Sequence, residues 1–159
     1  MDFGIVTMKV LNSYALIFIE RIPLTMSKKE LAISLHDKKY NCAQSVACAF
    51  AEDLNIDTQM LFKMCEGFGL GMGCMTGTCG AISGAIALLG MKNSDGNLES
   101  PATKASTYQL SRELLEKFQQ KNGSTICKEL KGVGTGTVLR SCPGCIEDAV
   151  ELVEEILNR

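Results

Sequence analysis

The sequence of 159 residues contains no tryptophan, a single histidine and only 6% aromatic residues. With so few large rings, its 46% of apolar residues must fill a core through close packing of small and aliphatic side chains, as helix bundles do. The lone His36 lies in the polar stretch His36-Asp37-Lys38-Lys39 and is expected to be exposed, which disfavours Ser-His catalysis and an imidazole general base. Basic surface is missing as well. Sixteen Lys and Arg stand against eighteen Asp and Glu, and a net charge of -2 offers nucleic acid no footing. The uncharged run from Val10 to Ile19 is too short to span a bilayer, and no clean small-residue cleavage site follows it. Neither stable membrane insertion nor a secretory signal is expected. Strand-like alternation is scarce beyond residue 25, and no internal repeat is found.

What the sequence has in excess is cysteine, eight in all. That is below the density of a small disulfide scaffold, and the chain is long enough to build its own core. Residues 1–26 differ in composition from the rest, and Met26-Ser27-Lys28-Lys29-Glu30 reads as an ordinary protein start. The expected organisation is an N-terminal extension over 1–26, possible as a misassigned start, followed by a single domain over 27–159. Without a secretory signal the expected compartment is the cytoplasm. In that reducing setting cysteines serve as thiols, transient disulfides or metal ligands rather than structural bridges.

Capping signals divide the domain into helices. Ser27 with Glu30 forms a capping box for a helix reaching about His36, and Asn41 caps another that begins near Cys42 and turns Val46, Ala49 and Phe50 inward. Asp57 caps Thr58 to Cys65, which the glycine-rich stretch Gly67 to Gly77 then ends. Cys79 opens a helix expected to stop at Gly90, with Gly80 and Gly84 making a small face for close packing. After a polar loop, Ser100-Pro101 opens the longest helix, with Leu110, Leu114, Leu115 and Phe118 inward, Glu113 paired with Lys117, and Asn122-Gly123 closing it. Ser124 caps a short helix containing Cys127. The Gly132 to Gly136 run lacks the ending of a phosphate loop and reads as a flexible linker. The last helix is amphipathic, with Ile146, Ala149, Val150, Val153 and Leu157 on one stripe and Asp148 among the acidic residues off it. The expected fold class is all-α, a compact bundle of about five to six helices with a Gly-rich connecting loop.

Cys42, Cys79, Cys127 and Cys145 each fall within a turn of an expected helix start. Unpaired N–H groups and the helix dipole favour an anion there, so each thiol ionises more readily than a free cysteine. If the four ends converge, the cluster can form reversible disulfides, bind a metal through thiolates, or hold an iron–sulfur cluster. Cys142-Pro143-Gly144-Cys145 adds a CxxC pair entering a helix, though without the βαβ context of a thioredoxin. Cys74 and Cys79 could join Cys142 and Cys145 in a zinc-type site. Cys48 and Cys65 read as packing residues, and Met60, Met64, Met72 and Met75 as core filling. The glycine run is open to three readings, an anion nest, close packing or a mobile flap.

The motif Cys79-Gly80-Ala81-Ile82-Ser83-Gly84, with Cys42 in Tyr40-Asn41-Cys42-Ala43-Gln44 and with Cys127 and Cys145 downstream, resembles the redox-active C_GCAxxG_C_C family over roughly residues 27 to 158. Cys142 is the other candidate for the last position. The resemblance implies a compact helical protein with thiol redox chemistry and no fixed substrate. On this reading Cys79 and Cys145, aided by Cys42, Cys127 and Cys142, cycle between thiolate and disulfide, as a thiol–disulfide oxidoreductase or a carrier, with the redox partner unspecified. One alternative is a module binding zinc or an iron–sulfur cluster through Cys42, Cys79, Cys127 and Cys145. Another is a helical interaction protein whose cysteines merely pack.

Overall fold

The computed structural model describes residues 26–159, and among them the chain forms seven α-helices and no strand, only an isolated antiparallel bridge between Thr78 and Ile126. The expected extension over 1–26 falls, apart from Met26, outside the described residues. The helices are α1 (Lys28–Asp37), α2 (Cys42–Ala49), α3 (Thr58–Cys65), α4 (Gly80–Asn93), α5 (Lys104–Asn122), α6 (Cys127–Leu130) and α7 (Cys142–Leu157). The all-α expectation holds, with slightly more helices than anticipated. Among the described residues no helix is long and apolar enough to cross a membrane.

Local chemistry sets most of the starts. Ser27 and Glu30 close a capping box on α1, and Asn41 and Gln44 close a second on α2. The Asp57 carboxylate accepts from the Met60 N–H, and the Ser141 hydroxyl from the Gly144 N–H. Three boundaries differ from the sequence expectation. Gly90 does not adopt the left-handed backbone that a terminating glycine needs, so α4 continues to Asn93. α5 begins at Lys104 rather than after Ser100-Pro101, because the Asp95 carboxylate gathers the N–H groups of Asn97 and Ala102 into a hydrogen-bonded loop. Ser124 does not cap α6; its hydroxyl accepts from the Ile126 N–H and donates to Glu129, and the helix starts only at Cys127.

The core is organised on the contact between α2 and α4. A Cβ at Gly84 would lie within 2.9 Å of the Ala43 Cα and closer still to its carbonyl oxygen, so the two backbones touch where the Gly80/Gly84 face was expected to admit a helix. Ala43, Val46, Ala47 and Phe50 meet Ala81, Ile82, Ala85, Leu88 and Leu89 across this contact, all buried. α7 closes the bundle with Ile146, Ala149, Val150, Val153 and Ile156, while α5 contributes Leu114 and Phe118 and α1 contributes Ala32. Asp148 departs from expectation. It is 1% exposed because Arg140 and Lys121 reach its carboxylate at 2.9 and 2.7 Å, a paired charge inside the bundle rather than a solvated one.

Between α3 and α4 the chain does something rarer. Leu70, Gly71, Met72 and Gly73 all take left-handed backbone angles, with φ of 53, 59, 61 and 77°. The Gly73 N–H bonds the Gly69 carbonyl at 2.9 Å, closing a turn of helix of the wrong hand for L-residues. Such a turn costs about 1–2 kcal/mol at each residue bearing a side chain. The exposed Met72 and the half-buried Met75 sit here, and Met60 and Met64 lie open on α3. None of these methionines fills the core as expected, because the apolar volume is already taken by the aliphatic residues of α2, α4 and α7.

The backbone contact predicts the behaviour of Gly84→Ala. Helix propensity alone would favour alanine by about 1 kcal/mol, but the new methyl group meets a backbone carbonyl that cannot rotate away. The net expectation is a loss of roughly 1–3 kcal/mol, seen as a lower urea midpoint with an unchanged slope.

Candidate functional site

The helix starts are brought together at one end of the bundle. Cys42 is the first residue of α2, Cys79 the N-cap of α4, Cys127 the first residue of α6, and Cys142 and Cys145 lie in the first turn of α7. All five line a single cavity of about 220 Å³, with His36, Asn41, Leu70, Lys131 and Arg140 among its other walls. The sequence expectation placed Cys145 at the helix start; α7 in fact begins at Cys142, one turn earlier, and both sulfurs face the cavity.

Each sulfur is delivered by a different backbone device. The α2–α4 contact sets Cys42 beside Cys79, since a Cβ at Gly80 would lie 3.0 Å from the Phe68 carbonyl oxygen and in van der Waals contact with the Cys42 Cβ. Asn41 fixes the entry of α2 by donating from its side chain to the Glu66 carbonyl at 2.9 Å while capping with its oxygen. The short bridge holds Cys127: its N–H donates to the Gly77 carbonyl at 3.1 Å, and the Cys79 N–H donates to Thr125 at 2.8 Å. A Cβ at Gly71 would lie 2.6 Å from that of Cys127, so the left-handed turn presses directly on the site. After α6 the chain reverses. The Gly132–Gly136 run is a hydrogen-bonded turn rather than the expected linker, with all three of its glycines at positive φ, and the N–H groups of Leu139 and Arg140 both return to the Leu130 carbonyl. This reversal lays Cys142 beside Lys131, whose Nζ is 3.4 Å from the Cys142 sulfur.

Burial and charge then make the thiols unequal, in two neighbouring pairs. In the first, the adjoining Cys42 thiol, with the Lys131 ammonium and the nearby His36 in support, outweighs burial and pulls the Cys142 thiol down to about 5. Cys42 is pushed up by Cys142 and by burial, so it keeps its proton. In the second, Cys79 is lowered by the adjoining Cys145 thiol and by the N–H groups of Ala81 and Ile82, which bear on its sulfur without closing a cap hydrogen bond of ordinary geometry. Cys145 is raised in turn by Cys79 and by burial. Cys127 belongs to neither pair; burial, then the charges on Cys79 and Cys142, raise it.

The remaining cysteines stand apart. Cys65 lies in the main core and Cys48 in a small satellite cluster with Ala51 and Leu61, the packing roles expected of them. Cys74 is exposed and held by the Thr76 hydroxyl at 3.0 Å, and it does not line the cavity, so it is not brought together with the CxxC pair. Among the described residues no group of three or more His, Cys, Asp or Glu is arranged to hold a metal ion.

Lys131, Arg140 and His36 were not anticipated at the site. Lys131 and Arg140 carry no local signal, since they reach it only through the chain reversal. His36 was expected to be exposed and is half-buried, because its Nδ1 lies 3.0 Å from the Tyr40 carbonyl. A carbonyl only accepts, so Nδ1 carries the proton and Nε2 keeps its lone pair in the neutral ring. Arg140 is anchored on Asp148 by both Nε and Nη2, and the absence of a side chain at Gly144 makes room for its guanidinium.

The family model described as "Putative redox-active protein (C_GCAxxG_C_C)" matches residues 40–156, most of the chain. No curated protein and no solved structure matches it.

The electrostatics predict a specific alkylation profile. A thiolate reacts and a thiol does not, so the rate at Cys142 should rise as pH passes about 5 and then level off, while Cys42 and Cys145 stay slow until strongly alkaline pH. Replacing Lys131 by Met removes the ammonium and should move the Cys142 midpoint to higher pH, as read by iodoacetamide labelling and peptide mapping.

Proposed function

The chain belongs to the C_GCAxxG_C_C family, and on that footing we propose that it is a thiol–disulfide exchange protein whose leading nucleophile is Cys142. The observation that carries this reading is the setting of the Cys142 sulfur, 3.4 Å from the Lys131 ammonium in a cavity of about 220 Å³ that Cys42 also lines. A sulfur so placed is a thiolate across the physiological range, and its neighbour is a protonated thiol ready to resolve what it forms.

The exchange runs in two displacements. The Cys142 thiolate attacks one sulfur of an incoming disulfide, forming a mixed disulfide and expelling the other half as a thiolate. Cys42 then gives up its proton to that leaving thiolate and attacks the Cys142 sulfur. A Cys42–Cys142 disulfide forms and the second half of the substrate departs as a thiolate, to be protonated by solvent. Two electrons pass from the protein to the substrate, and the reverse sequence oxidises a dithiol. Sequence reasoning gave the lead to Cys79 and Cys145; the Lys131 ammonium 3.4 Å from the Cys142 sulfur shifts it. Cytoplasmic reductants would keep both pairs in the dithiol form at rest.

Reduced protein mixed with one equivalent of oxidised glutathione, quenched with acid at short times and mapped without reduction, should yield the Cys42–Cys142 disulfide first. Cys142→Ser should abolish the early glutathione adduct. Eight thiols left intact by oxidised glutathione would remove the proposal.

A further inference from the structure

The two thiol pairs differ in access. Cys42 and Cys142 are half-buried at the cavity, whereas Cys79 and Cys145 are 5% and 2% exposed. The more exposed Cys42 and Cys142 are the outer pair, the sulfurs that an external disulfide meets first. All four cysteines line one cavity, so the outer pair adjoins the inner one. From this difference in access within one cavity we infer that the protein is a two-stage relay: the outer Cys42–Cys142 disulfide is reduced internally by the inner Cys79–Cys145 dithiol, which stores the oxidation. The inference rests on the reading of Cys142 as the thiolate that meets the external substrate.

The step balances with no further reagent. The Cys79 thiolate attacks the Cys42 sulfur of the outer disulfide, because the displaced Cys142 is the better leaving group beside Lys131. A Cys42–Cys79 disulfide forms and Cys142 leaves as a thiolate. Cys145 next attacks the Cys79 sulfur, passing its proton to the departing Cys42. The products are a Cys79–Cys145 disulfide, a Cys42 thiol and a Cys142 thiolate, which is the resting state of the outer pair. The outer pair is thereby ready for a second substrate, and the full cavity reduces two disulfides, giving up four electrons. Cys127 has no part in the exchange and serves as a wall.

The test follows the unaltered protein in time after one equivalent of oxidised glutathione, with acid quenching and non-reducing peptide maps. The Cys42–Cys142 disulfide should rise and then decay into Cys79–Cys145 at a constant total of one bridge. In Cys42→Ser, formation of Cys79–Cys145 should slow by at least about tenfold. In Cys145→Ser the Cys42–Cys79 intermediate should accumulate. A Cys42–Cys142 bridge that persists while Cys79 and Cys145 remain alkylatable after unfolding would overturn the relay and leave the exchange chemistry standing. Formation of Cys79–Cys145 at an undiminished rate in Cys42→Ser would also overturn it. Failure of any bridge to form in the unaltered protein would remove both.

Discussion

The site depends on how closely two helix backbones approach. α2 and α4 cross with Gly84 against Ala43 and Gly80 against the start of α2, and no side chain separates them. A contact of this kind fixes position to a fraction of an ångström, because backbone atoms have no rotamers with which to yield. It is the reason that Cys42 and Cys79, far apart in sequence, begin their helices side by side. The remaining elements are then placed relative to this crossing: the Thr78–Ile126 bridge hangs Cys127 from the strand-like segment leading into α4, and α7 packs its apolar stripe against both helices with its cysteines uppermost.

Within that frame, five chemically identical side chains become different reagents. A helix start favours the anion at every position, but this alone would leave the thiols nearly equal. Inequality comes from the influence of each thiol on its neighbour, from burial and from one lysine. A shared proton cannot serve both members of a pair, so stabilising a charge on Cys142 obliges Cys42 to remain protonated, and the same holds for Cys79 and Cys145. On the proposed exchange, each pair thus contains an attacking sulfur and a resolving one. The buried Asp148 serves this arrangement from behind, since it ties Arg140 down over Gly144 and so fixes the segment through which the chain enters α7.

Much of this was legible in the residues. Ser27, Asn41 and Asp57 announce their helices through capping chemistry that acts over three residues, and all three are observed. The Gly80/Gly84 face signalled a close helix contact, and the cysteines at helix starts signalled their convergence. What could not be read arises from contacts distant in sequence. Lys131 becomes a partner of Cys142 only because the Gly132–Gly136 turn folds the chain back, and a glycine-rich run looks alike whether it is slack or tightly bonded. Asp148 looks solvated from its neighbours alone, since its cations come from α5 and the loop before α7. The left-handed turn at Leu70–Gly73 defies local preference at Leu70 and Met72 and is held by its packing on Cys127.

The placement of the sulfurs on separate helices also ties electron affinity to mechanical integrity. A bridge between Cys42 and Cys142 would staple α2 to α7, and one between Cys79 and Cys145 would staple α4 to α7, each closing a loop that spans much of the chain. Constraining the unfolded ensemble with a loop of that size is worth about 4–5 kcal/mol in the chain-entropy account. Whatever a bridge adds to the resistance of the bundle against unfolding is also added to its resistance against reduction, since both belong to one thermodynamic cycle. On the proposed exchange, a change in helix packing far from any sulfur would retune the potential at which the molecule surrenders its electrons wherever the bridged and open forms feel it unequally.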